Sequence, residues 1–168
     1  MTAKRIRVAS GLLCCGLIGV PLACANQGVM HLTLTTAPPD ITNVDVGPNG
    51  PSIGDYQVFS AGVEKDSEPF GMLYGLKLQA TPPGAASVPE GMAVFQNQLT
   101  LMLPDGTISV TGVQVYPTSG SIAGTSLEEG VTRSIVGGTE AYAGARGTIR
   151  TTARPDGTRL QELDFDIP

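Results

Sequence analysis

Polar and apolar positions alternate along much of this chain with a period of two, the signature of half-buried strands. Residues 30–36 read Met-His-Leu-Thr-Leu-Thr-Thr, with Met30, Leu32 and Leu34 on one face and His31, Thr33 and Thr35 on the other. Further strands are predicted over 56–62, 71–80, 94–103, 108–116, 131–136, 145–152 and 159–167. Over 94–103, Phe95, Asn97, Leu99, Leu101 and Leu103 oppose Gln96, Gln98, Thr100 and Met102; over 159–167, Leu163, Phe165 and Ile167 oppose Glu162, Asp164 and Asp166. Pro104-Asp105-Gly106 and Pro155-Asp156-Gly157 carry hairpin-turn chemistry. Residues 64–69 read as a charged turn, and 37–55 as a long ordered loop or a short strand with turns. The stretch 82–91 is the expected mobile rim, and Ser126 to Glu129 the expected single helical turn. No stretch sustains a 3.6-residue period. Seven to eight antiparallel strands must protect their edges, and closure into a small eight-stranded barrel does that best.

Composition agrees: 22 Gly and 13 Pro in 168 residues favour turns and short strands. The formal charge of −5 speaks against a nucleic-acid partner, which would want clustered Lys and Arg. Residues 1–25 read as an export signal, with Lys4, Arg5 and Arg7 ahead of a short apolar run and an Ala23-Cys24-Ala25 cleavage site. The expected organisation is a signal over 1–25 and one barrel domain over 26–168, secreted or periplasmic. A lipoprotein anchored through Cys24 is the alternative. All three cysteines (Cys14, Cys15, Cys24) lie in that leader, so a cleaved chain has no disulfide and no thiolate. The single histidine, His31, excludes a multi-histidine metal site and most simply is solvated. No phosphate-cradling loop, nucleophile elbow or metal-spaced cluster is present.

Gly137-Gly138, after the β-branched pair Ile135-Val136, predict a bulge or a corner, and Gly144 and Gly147 a second close approach of backbones. With Val136, Thr139, Tyr142, Ala145 and Arg146 they form a run that resembles the GGTGxYxGARG signature of the allene oxide cyclase and dirigent barrel superfamily. Three further segments resemble that family in the same order: Asp45, Gly47, Gly50, Ser52, Gly54, Asp55 and Phe59; the Gly71–Gly75 pair; and 105–112, Asp-Gly-Thr-Ile-Ser-Val-Thr-Gly.

The resemblance implies an all-β, calycin-like barrel. It also implies a cofactor-free cyclase, isomerase or stereochemical guide for a lipophilic secondary-metabolite intermediate, with one strand face in the lumen and the other outside or at a subunit interface of a dimer or trimer. A shaped apolar cavity would select one conformer and exclude water. Two departures set this chain apart from plant cyclases. Lys77 stands where they have a cysteine, and residues 30–36 lack their glutamate. Glu140 stands where the family usually has glycine, while Arg146 matches an arginine counted among dirigent pocket residues, or pairs with Glu140 or Asp55 at the barrel end.

The candidate ligand-binding polar groups are Tyr56, Tyr74, Lys77, Gln98, Glu140 and Arg146. For Lys77 two readings stay open. The family pattern turns it inward with Leu73, Gly75 and Gln79; hydrophobic alternation turns Tyr74, Leu76 and Leu78 inward and leaves it in solvent. A non-catalytic barrel carrying a small hydrophobic ligand, and a barrel filled solidly by side chains, are the competing functional classes.

Overall fold

The computed structural model describes residues 28–118 and 129–168. The expected export signal and the expected helical turn around residue 127 therefore lie outside the described residues. Nine strands form one antiparallel sheet: β1 (Met30–Thr36), β2 (Asp40–Val44), β3 (Tyr56–Lys65), β4 (Glu68–Gln79), β5 (Met92–Leu103), β6 (Gly106–Pro117), β7 (Val131–Gly138), β8 (Arg146–Ala153) and β9 (Arg159–Asp166). The order is β1-β9-β8-β7-β6-β5-β4-β3-β2, and β1 also pairs with β3. Eight strands thus close on themselves and β2 is extra. The expected all-β barrel is the fold. The described residues contain one short 3-10 turn, Glu140–Tyr142, and no α-helix.

The β1–β2 run explains why 37–55 reads ambiguously. Pro38 and Pro39 interrupt the ladder. The chain nevertheless continues along one partner, with Thr36 opposite Val63 and Asp40 opposite Ser60. Residues 64–69 prove to be mostly strand. The turn there is only Asp66-Ser67, both in the left-handed region with φ of 53° and 68°, the geometry of a two-residue type I′ hairpin. A charged run looks like a turn, but strand pairing outweighs that local signal. Rim residues 82–91 carry several main-chain hydrogen bonds, including Gly84 N–H to Met92 C=O at 3.2 Å.

The motif segments fold the closed end. Val110 pairs with Ile135 and Ser109 with Gly137, so Val136 is the extra residue of a β-bulge. A Cβ on Gly138 would run into the Tyr142 and Thr107 carbonyls, and one on Gly106 into the Thr139 carbonyl. Thr139 binds Thr107 through both its main-chain N–H and its hydroxyl. At the other end Asp55 accepts hydrogen bonds from the Val46 and Ser52 amides, 2.8 and 2.6 Å, and closes the 45–55 loop.

The barrel interior divides in two. Toward the β3–β4, β5–β6 and β7–β8 turns it is solid with Leu34, Val63, Leu101, Ile108, Ile149, Leu163 and Phe165, each no more than 1 % exposed. Toward the other end the inward positions turn polar: Lys77, Gln79, Asn97, Arg133, Thr151 and Gln161 are all buried. The hollow part of the molecule is the polar part.

Candidate functional site: a cationic chamber at the barrel mouth

Lys77 lies on β4 in phase with buried Leu73 and Gln79, so the inward reading holds and the alternation reading is corrected. Alternation misleads because the outer face is apolar too: Met72 and Tyr74 are exposed, as are Met102, Val113 and Val115 on β5 and β6. Lys77 is 4 % exposed. Its Nζ sits 4.1 Å from the centroid of Phe95 and 4.2 Å from that of Tyr116. Those rings offset part of the cost of burying an ammonium. Burial and then the charges of Arg159 and Arg133 still depress its pKa from 10.5 to about 8.

Arg133, on β7, enters because Gly112 opposite it has no side chain; a Cβ there would stand 2.9 Å from the arginine Cγ. Arg133 donates to Thr151 Oγ1 and Gln114 Oε1, both at 3.0 Å, and to the Tyr116 hydroxyl at 3.1 Å. Thr151 donates onward to Gln161 at 2.6 Å, and Tyr116 donates to Gln114. Every acceptor among the described residues is neutral, and the fully buried arginine Nε has no partner among them. Arg159, half-buried at the start of β9, lines the same chamber. Burial lowers the pKa of both arginines; the Tyr116 phenol works against this at each, and the neighbouring Arg133 charge adds to it at Arg159.

Among the described residues the only contact between a basic and an acidic side chain within salt-bridge distance is the hydrogen bond between His31 and Asp164, on the outer surface. Lys77, Arg133 and Arg159 therefore converge with no described carboxylate within pairing distance. Their chamber holds about 30 Å³, with Ile41, Phe59 and Leu99 among its walls. It lies beside a mouth of about 230 Å³ lined by Asp45, Asp55, Tyr56, Gln57 and Phe95, and Lys77 borders both. No group of three His, Cys, Asp or Glu among the described residues is placed to hold a metal ion.

Of the six sequence candidates, Lys77 lines the chamber and Tyr56 the mouth. Tyr74 and Gln98 come together in a shallow groove on the outside of the barrel. Glu140 and Arg146 sit exposed at the closed end, Arg146 donating to the Ala145 carbonyl at 2.7 Å and pairing with neither Glu140 nor Asp55. These four are corrected out of the chamber, because the residue phase of their strands or their position at the closed end points them away. Arg133, Arg159, Asn97, Tyr116 and Gln161 are the residues missed. A signal existed: each is a polar or amphipathic residue in the apolar phase of its strand, as Arg133 is with Ile135 and Gln161 with Leu163. The expected apolar cavity is present only in part: the chamber sets Ile41, Phe59, Leu73 and Leu99 beside its cations, while aliphatic side chains fill the other half of the barrel.

No family model and no curated protein matches the sequence. Among solved structures the chain is similar to "Pyocyanin demethylase", with 24% identity over 82% of this chain and 100% of that one and a TM-score of 0.61. It is also similar to the Diels Alderase AbmU from Streptomyces koyangensis, at 13% identity over 87% of this chain and 72% of that one, TM-score 0.58. A third likeness is to a nonspecific heme-binding cyclase that catalyses [4 + 2] cycloaddition during neoabyssomicin biosynthesis, at 12% identity over 83% and 65%, TM-score 0.57. What these likenesses share with the chain is the fold.

Proposed function

We propose that this chain is a cyclase- or isomerase-type barrel that holds a small metabolite at its open end and steers ring closure or an isomerisation, without a cofactor. The observation that carries the reading is the hollow polar end of an otherwise solid barrel, where a lysine with a pKa of about 8 borders both the chamber and the mouth. Such a lysine can give or take a proton near neutral pH. The rigid sheet around it supplies orientation rather than a nucleophile. The ordered motif segments support a place in the allene oxide cyclase and dirigent superfamily, and the solved cyclase barrels support the reaction class by likeness of fold. The basic and then apolar leader supports export as part of the same proposal.

The test is comparative metabolite analysis of a strain with and without the gene, followed by incubation of the accumulated precursor with purified protein. Conversion of that precursor to a cyclised or isomerised product, with no metal, nicotinamide or flavin added, is expected. Tight binding of the precursor with no conversion would make the protein a carrier instead.

A further inference from the structure

We infer that the chamber is an anion site, and that the ligand of this barrel carries an organic oxyanion, a carboxylate or an acidic enol, held between Lys77, Arg133 and Arg159. The inference rests on the functional reading above for the location of the ligand, but not for the chemistry done on it.

Charge distribution is the first ground. After the leader the chain has only seven Lys and Arg, in a sequence whose net charge is −5. Three of the seven converge on one small chamber. Cations repel at such range, and burial adds a desolvation cost, so a cluster of this kind is expensive unless an anion completes it. Arg133 is the second ground. Among the described residues its donors reach only neutral oxygens, and its buried Nε reaches none. The carboxylates closest to the opening are engaged in the 45–55 loop, where Asp55 binds Val46 and Ser52, and Asp45 binds the Gly50 amide at 3.4 Å. Size is the third ground. A chamber of about 30 Å³ has room for a small polar group such as one carboxylate. The wider mouth takes the body of the ligand, between Phe95, Tyr56 and Pro117.

The groups facing Lys77 that bear charge or titrate are Tyr116, Arg133 and Arg159 across the chamber, with Asp45, Asp55 and Tyr56 at the mouth; β3 and β5 also contribute the neutral Gln57 and Asn97. Anion binding therefore draws on the protonated lysine and weakens as pH rises through about 8.

Calorimetric titration of the purified protein with trans-cinnamate and with its neutral, equally shaped amide tests the inference. The acid is expected to bind at least tenfold tighter at pH 7, since charge-assisted contacts are the strong ones. Lys77→Met and Arg159→Met, each checked for an intact melting transition, are expected to lower acid affinity at least tenfold and leave the amide unchanged. In the parent the acid's advantage is expected to shrink above pH 8; in Lys77→Met it is expected not to change with pH. Equal binding of acid and amide, unaltered acid binding in both variants, or no binding of either cinnamate or acetate would overturn the proposal. Glu128, the one carboxylate of the chain outside the described residues, supplies a last arm: acid binding seen only in Glu128→Gln would mean that the site is neutralised internally, and would also overturn it. Acid selectivity without turnover of any metabolite sinks the cyclase reading alone, and turnover of a neutral precursor with no acid preference sinks this one alone.

Discussion

Lys77 is the residue at which stability and binding pull in opposite directions. Its folded pKa of about 8 lies below the usual 10.5, so between those values the unfolded chain binds more protons than the folded one. Stability should then rise as pH climbs from 8 toward 10.5, the full penalty being present below 8. Tyr142, whose pKa burial raises, acts in the other direction only near and above 10. Chemical denaturation between pH 7 and 9.5 is therefore expected to show the parent gaining stability, and Lys77→Met showing no such gain. The methionine variant should also exceed the parent at pH 7 by about 1–2 kcal/mol, because replacing an unpaired buried cation with an isosteric apolar group is neutral or stabilising. A flat profile in the parent would mean that the ammonium is better compensated than its surroundings indicate. The orientation of this side chain was legible only through the family pattern. Leu76 and Leu78, on the outer face, are only half-buried, yet they supply the same alternation that a core-facing row would, and periodicity has no means of telling an apolar exterior from an interior.

At the scale of elements, the β7–β8 hairpin contains a place where the residue type conflicts with its backbone outside the two-residue Asp66-Ser67 turn. Glu140 opens the 3-10 turn at φ 53°, left-handed for a residue with a Cβ, and its side chain is exposed and makes no ion pair. The glycine that stands here in the barrel superfamily the motifs resemble fits that conformation without strain. Glu140→Gly is expected to raise the free energy of unfolding by about 0.5–1 kcal/mol once the added freedom of the unfolded chain is deducted; a loss of stability in urea melts would contradict it. This position was visible from sequence as an oddity, and the structure supplies its physical meaning. The strands were legible for a similar reason, since a period of two survives wherever one face is packed. Two ends were not. The continuation of β3 and β4 through Glu64 and Glu68 was hidden by local charge, and the prolines around β2 left strand and ordered loop open as alternatives there. Pairing across the sheet decided both.

Across the whole molecule, one continuous row of inward positions on β5 crosses from solid core to chamber within a few residues. Leu101 and Leu103 pack among aliphatic side chains, Leu99 reaches the chamber wall, and Asn97 and Phe95 face the cations. The closed topology makes this division possible. With β1 paired to both β9 and β3, the short β2 is the one strand among the described residues left with a free edge, and one half of the barrel suffices as a core. The consequence is an unequal response to equivalent truncations on one strand. Leu101→Ala, at a site with no exposure, removes buried methyl groups from the solid half and should cost about 2–5 kcal/mol. Asn97→Ala enlarges a hollow that water can enter. It removes only long hydrogen bonds, 3.3 Å to the Phe95 carbonyl and 3.4 Å to Gln114, and should cost about 1 kcal/mol or less. Its effect belongs to the ligand: acid binding at the chamber should change in Asn97→Ala and remain as in the parent in Leu101→Ala wherever the latter is folded. Urea melts of the two variants, with cinnamate titrations below the transition, separate the outcomes. Equal destabilisation would mean that the polar half is as tightly packed a core as the apolar one.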